Sequence, residues 1–455
     1  MLAKSLARAL CGGFAVFAAL AGPVAHAQSV IRDAEIEHTL RDFTDPILRA
    51  ANINPAEVQV TLIGDPVPNA FVARGQRIFL HTGLITAAEN PNEVIGVIAH
   101  ETGHISGGHL ARMRDAMRQA QTPAWIAIGV GILAIAAGAP DAGVSLIAGA
   151  PQFAMGSFVR HTQTQESSAD QAAVTYLDAT GQSGAGLISF FEREFRPNEF
   201  MTRRLPPYLM THPFTSDRVQ ALRQRVEASP YYNTPPSAET TLEFDMMKAK
   251  LIGFLSPVTE TRSLYPRSDT SLPARYARAI ASYREPNPPQ ARAEIQALID
   301  DYPENPYFQE LMGQMLFEGG DSAGAVPFHR RSVELAPGEP LLEVNLARAL
   351  LGLNQEAATR EAVQHLEASL SVDRENGLAW RELSTAYDRL GEAGLARLAS
   401  AEQFYVGGNF PLARNFAERA RRELSPETQP IAYRRVDDII TFTQNALEDA
   451  ENRRN

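Results

Sequence analysis

The chain has one cysteine in 455 residues, no excess of positive charge and no apolar run of clear membrane-spanning length. The cysteine, Cys11, lies inside a segment read below as removed before the chain matures, so the fold must be held by its core and not by disulfides. With 42 Lys and Arg against 53 Asp and Glu, the formal charge is −11. That sign argues against nucleic acid as a partner and against charge-driven adhesion to anionic lipid.

Residues 1–27 have Lys4 and Arg8 ahead of a short apolar run and end Ala25-His26-Ala27. That is the pattern of a cleaved secretory signal peptide, with the mature chain expected to begin at Gln28. Cys11 follows Arg8-Ala9-Leu10, too early for a lipoprotein acylation site, and is lost with the segment. The remainder is long enough for two domains with real cores.

Asn90 to Met113 organises the rest. It reads NPNEVIGVIAHETGHISGGHLARM, a helix with Asn90 as its N-cap, Pro91 at its first position and Glu93 three residues after the cap. His100 and His104 fall four apart on one face and offer two imidazole nitrogens to one tetrahedral ion, and Glu101 stands beside it as a carboxylate able to take a proton from an activated water. The same pentapeptide also occurs in polar helices with ordinary histidines. A third ligand ten residues after His100 is not there: Leu110 holds that position and His109 is one residue off register. His109 is left to packing or to support of the site. Glu166 and Asp170, four apart in QTQESSADQAAVTYL, provide the alternative, Glu166 as third ligand and Asp170 as acceptor of a ligand histidine's remaining N–H, with Ala169 and Ala172 making room for a neighbouring helix.

His-Glu-Thr-Gly-His from His100, Glu-Ser-Ser-Ala-Asp from Glu166, and Thr-His-Pro-Phe-Thr-Ser-Asp-Arg from Thr211 to Arg218 resemble the three signature segments of the HtpX and CAAX-prenyl-protease superfamily of zinc metallopeptidases. The leader before them and helical repeats behind them narrow the resemblance to its periplasmic, BepA-type branch. The resemblance implies one zinc ion per chain on His100, His104 and Glu166, with Glu101 as catalytic acid/base. It gives His212 as a histidine able to sit on the metal and hold the enzyme latent, and Arg218 as the arginine that closes the third motif. Once off the metal, His212 would join Arg218 in stabilising the oxyanion. Relatives often carry arginine where this chain has Gln163.

Around the motif helix the sequence predicts a helix within 30–51, a strand at 58–63, and a hairpin of 69–73 with 77–80 whose edge can pair with an extended substrate. Residues 123–150 are apolar and glycine-rich. The first run, about 22 Å long if helical, falls short of a roughly 30 Å hydrocarbon core. They read as a hairpin lid over the cleft or a peripheral contact with a membrane or partner, with a membrane anchor as the alternative. Residues 28–232 form the protease domain in this reading.

After a proline-threonine linker near 230–240, residues 233–455 carry tetratricopeptide-like periodicity. Helices at 242–255 and 274–283 start the stack. Repeats follow at 305–337 and 340–373, a third begins around Trp380, Leu383, Tyr387 and Ala396, and a half-matched fourth spans 399–424. Trp380 and Tyr387 read as repeat core. The fold class is mainly α: a gluzincin-type metalloprotease domain with a small β-sheet, then an α-solenoid of repeats. The expected partners are unfolded or misassembled outer-membrane polypeptides and, through the repeats, the outer-membrane assembly machinery. A chaperone or scaffold with little proteolysis is the competing reading.

Overall fold

A computed structural model describes residues 29–73, 76–112, 162–194, 212, 216–285 and 287–452. The expected leader at 1–27 and the apolar stretch at 123–150 lie outside these residues. Four short strands, β1 (Ser29–Ile31), β2 (Gln59–Gly64), β3 (Ala70–Ala73) and β4 (Arg77–His81), form one sheet in the order β1-β2-β4-β3. β3 and β4 make the expected antiparallel hairpin, with Phe71 opposite Phe79 and their rings stacked at 5.1 Å. β2 runs parallel to β4, and β3 is a terminal strand. β1, which the sequence pattern did not announce, is three residues long and pairs antiparallel with β2.

Helix α1 (Ala34–Ala50) buries Ile36, Leu40, Phe43, Ile47 and Leu48 and is capped by Asp33, whose side chain accepts from the Ile36 N–H. It packs with the short α2 (Thr82–Ala87), the motif helix α3 (Pro91–Ser106), a helix α4 at 162–179, α5 (Ala185–Glu194) and α6 (Ser216–Glu227) around a first core. Helix α7 (Ala238–Leu255) belongs to two cores. Its Phe244, Met247 and Leu251 join the first and its Met246 the second. A division of the chain at 232/233 therefore falls in the connection between α6 and a helix that packs on both sides of it.

From Leu272 the chain is an antiparallel stack of helices. The pairs are Leu272–Tyr283 with Pro288–Asp301, Pro306–Glu318 with Ser322–Leu335, Pro340–Gly352 with Glu356–Val372, Gly377–Arg389 with Ala393–Val406, and Phe410–Glu423 with Pro430–Asn452. Successive helices bury apolar faces against one another in two cores, the solenoid arrangement expected of such repeats. Trp380 and Tyr387 pack against the second core. The last repeat is phased differently from the sequence reading. Residues up to Val406 complete the third predicted repeat, and the fourth begins at Phe410 after a Gly407-Gly408-Asn409 turn in which Gly408 has φ +72°. No helix of the described residues is long and apolar enough to cross a membrane.

The stack is tied to the first core by buried charge. Lys250, 3% exposed, places Nζ 2.8 Å from Asp33, 3.1 Å from Glu35 and 3.7 Å from Glu310, and Tyr276 donates to Glu35 at 2.8 Å. Arg32–Asp373 and Arg77–Glu375 pairs, at 2.8 and 2.7 Å, extend the junction to the surface. Three carboxylates share one lysine, and burial with Asp33 and Glu35 nearby lifts Glu310 to about 7 against the pull of Lys250. A carboxyl raised on folding takes up a proton that the unfolded chain releases near 4.5. Its contribution is thus fully present below that value and is lost as pH rises through about 7. Glu310→Gln should flatten this part of the stability profile. Melting temperatures taken between about pH 5 and pH 8 check it, and an unchanged slope would remove Glu310 as the source.

Candidate metal centre

Helix α3 starts where Pro91 allows it, but its first turn is secured differently from the sequence expectation. Asn90 makes no side-chain cap bond. Glu93, fully buried, instead accepts from the Glu89 N–H at 2.9 Å, from Ser189 Oγ at 3.0 Å, and from Arg193 at 2.6 and 2.7 Å. Arg193, one hundred residues further along the chain, donates to that carboxylate, holds it in place and fastens α3 to α5. Val94, Val97 and Ile98 are wholly buried, which fixes the rotation of α3 and turns His100, Glu101 and His104 to one side.

Helix α4 crosses α3 at Gly103. A Cβ placed there would lie 2.8 Å from the Ala169 carbonyl oxygen, so the two backbones are nearly in contact. Ala169 is completely buried at this crossing and Ala172 is half-buried beside it. Glu166 and Asp170, one turn apart on α4, thereby reach the two histidines. Gln163, one turn before Glu166, is exposed, and it is not among the four residues whose donors converge.

The donor atoms converge. His104 Nε2 is 3.1 Å from His100 Nε2, and Glu166 oxygens are 3.4 Å from each. His212 joins them with Nδ1 3.3 Å from His100 Nε2 and 3.1 and 3.2 Å from the two Glu166 oxygens. All four residues present one donor within 4.8 Å of the others. Zinc bound tetrahedrally at ~2.0–2.1 Å from nitrogen and oxygen requires donor separations of about 3.3 Å. The observed edges of 3.1–3.4 Å match that requirement. Three imidazoles and one carboxylate are also the ligand types zinc prefers. The four residues fit one zinc ion.

Glu101 is fully buried next to this group. Among the described residues neither of its oxygens has a hydrogen-bond partner, and His212 Nε2 stands 3.4 Å from Oε1. Burial pushes its carboxyl up, while His212 and His100 pull it down. The net upward direction is the one a base needs if it is to accept a proton and return it. His100 is buried, which opposes its charge, but Asp170 and Glu166 outweigh that and raise it to about 9. His104 is held well below its ordinary value by burial and by His100.

Asp170 stands beside His100, with Oδ1 2.9 Å from His100 Nδ1, an ion-pair distance at which the hydrogen-bond angle is not met. Arg218 does not stand free to meet a reacting carbonyl. It donates to both Asp170 oxygens, at 2.5 and 2.9 Å, and lies 2.8 Å from Glu166 Oε2. Its guanidinium is committed to two carboxylates in this conformation, and serving an oxyanion would require those pairs to open. The third motif brings Arg218 to the site. The pairing with Asp170 was invisible because α6 and α4 meet only in the folded chain.

Residues 32–226 match the model of peptidase family M48. A beta-barrel assembly-enhancing protease of Yersinia pestis is 25% identical over 84% of this chain and 79% of its own length. The beta-barrel assembly-enhancing protease of Escherichia coli (strain K12) is 22% identical over 84% of this chain and 78% of its own. The shorter metalloprotease LoiP of the same organism is 26% identical over 44% of this chain.

Proposed function

We propose that this chain, a metallopeptidase whose residues 32–226 form a peptidase family M48 domain, is a zinc endopeptidase of the periplasm. It cuts unfolded or misassembled outer-membrane polypeptides and holds them through its repeats. The convergence of His100, His104, Glu166 and His212 at zinc-like spacing, with the buried Glu101 alongside, carries the reading. Relatives named for enhancing β-barrel assembly support the substrate class. Residues 1–27 act as the leader, 28–232 as the protease and 233–455 as the repeat domain that engages the assembly machinery.

His100, His104 and Glu166 hold one zinc ion, which supplies Lewis acidity toward water and the scissile carbonyl. Glu101 removes the water proton and passes it to the leaving amine. Asp170 orients His100, and Arg218 acts as a positioning residue that fixes Asp170 and Glu166. The terminal strand β3, at the edge of the sheet, offers backbone groups to an extended substrate, which gives recognition with little demand on side-chain sequence.

His212 is the latch. Its Nδ1 stands 3.3 Å from His100 Nε2 and 3.1 Å from Glu166, so it would compete with water for a bound ion; cleavage would then wait on its withdrawal, after which the imidazole is available to a developing oxyanion. Zinc analysis should give about one ion per chain, and excess chelator should abolish cleavage of an unfolded outer-membrane barrel polypeptide while the folded barrel stays intact. His212→Ala should raise basal cleavage several-fold, because the fraction of open chains sets the rate. Loss of activity in that variant would assign His212 to the transition state alone. Cleavage that persists in chelator would end the zinc reading. The place of His212 among the donors also favours a second reading, a chaperone that cleaves rarely, which Glu101→Gln distinguishes below.

A further inference from the structure

We infer that His109 is a positioning residue of the metal centre, the partner that orients His104; the inference rests on the zinc reading above. His109 is 4% exposed, and its Nδ1 lies 3.0 Å from Nδ1 of His104, the ring nitrogen facing away from the donor cluster. The rings meet edge-on, with centroids 5.0 Å apart and planes at 79°. For His104 to offer the Nε2 lone pair to a metal, its proton must sit on Nδ1. That N–H then points at His109, which can accept it only with the Nδ1 lone pair, so His109 carries its own proton on Nε2. One hydrogen bond thus selects the tautomer of both rings.

The chain path to this contact is built by two glycines. Helix α3 ends at Ser106, Gly107 remains in the right-handed helical region, and Gly108 takes φ +61°, which side chains disfavour. The reversal folds His109 back onto the last turn of the helix that carries His104. There is no slack in it: a Cβ on Gly107 would come 2.4 Å from His109 Nε2. The register that excludes His109 from the donor set, one residue short of the extended motif, is what this fold-back requires.

The two motif histidines are therefore supported by unlike partners. His100 leans on Asp170, a carboxylate clamped by Arg218, which adds negative charge behind the ring. His104 leans on a second imidazole, which aims it without adding charge. Loss of such a support commonly weakens metal affinity by roughly 10- to 100-fold.

The test is zinc affinity of the full-length mature protein, measured by competition with a chromogenic chelator, together with the visible spectrum of the cobalt(II)-loaded chain. His109→Leu fills the space but cannot accept a hydrogen bond, whereas His109→Asn keeps an oxygen close to the Nδ1 position. His109→Leu should bind zinc roughly 10- to 100-fold more weakly and alter the cobalt spectrum. His109→Asn should stay within a few-fold of wild type in both. Wild-type affinity in His109→Leu overturns the inference, and so does an equal loss in both variants, which would mean packing alone. If His109→Leu does not fold, His109→Asn still decides: near-wild-type affinity and spectrum support the hydrogen bond, and a loss of 10-fold or more refutes it. Failure of the zinc reading itself looks different, since wild type and His104→Ala would then bind zinc equally poorly.

Discussion

Glu101→Gln should lower the rate of peptide-bond hydrolysis by roughly 10²–10⁴-fold, the contribution of a positioned acid/base, while zinc remains bound at about one ion per chain. The expectation rests on where Glu101 sits. It is fully buried, its oxygens have no hydrogen-bond partner among the described residues, and it is not one of the four residues whose donors converge. Glutamine preserves its shape and cannot take up a proton from water. Paired measurements of metal content and of turnover on an unfolded polypeptide separate chemistry from folding. Full turnover in the variant would remove Glu101 from the mechanism. If turnover collapses yet the variant still prevents aggregation of outer-membrane polypeptides, binding by the repeats is a function in its own right.

Lys250→Ala should cost about 3–5 kcal/mol of folding stability, the usual penalty for stranding buried charge. Asp33, Glu35 and Glu310 all turn toward this one ammonium group. Burial opposes its charge, yet the carboxylates hold its pKa well above the ordinary lysine value. Without it they must either carry proton load or draw in water, so the defect should be largest at neutral pH and shrink in acid as the carboxylates protonate. Denaturant unfolding of the full chain at two pH values measures both statements. An unchanged midpoint at neutral pH would show that the junction does not depend on this cation.

The parts of this molecule that the sequence made legible are those encoded by local spacing. Pro91 marks the start of α3, the four-residue spacing of His100 and His104 fixes a shared face, and the four-residue spacing of Glu166 and Asp170 does the same on α4. The repeats were readable for the same reason, since each helix pair must bury one face on the next. What could not be read depends on distant partners or on turn geometry. Asn90 makes no cap bond, and Glu93, which accepts from the Glu89 N–H, is held in place by Arg193 from α5. Arg218 turned out to clamp Asp170. The last repeat slipped in phase because the Gly407-Gly408 reversal carries a signal no stronger than several other glycines in the stack. His109 could be excluded as a ligand by register, but its use depended on the hand of one residue, Gly108.

The crossing at Gly103 has a consequence for how this protein can diverge. The atoms that a methyl group there would strike belong to the backbone of α4, at 2.8 and 2.9 Å, so no rotamer change can make way for it. Relief would come only by levering the two helices apart, which would drag Glu166 from the imidazoles it faces. Mutational drift can rework the solenoid, the surface loops and even the charges at the junction, but along this seam it meets a wall set by a missing side chain.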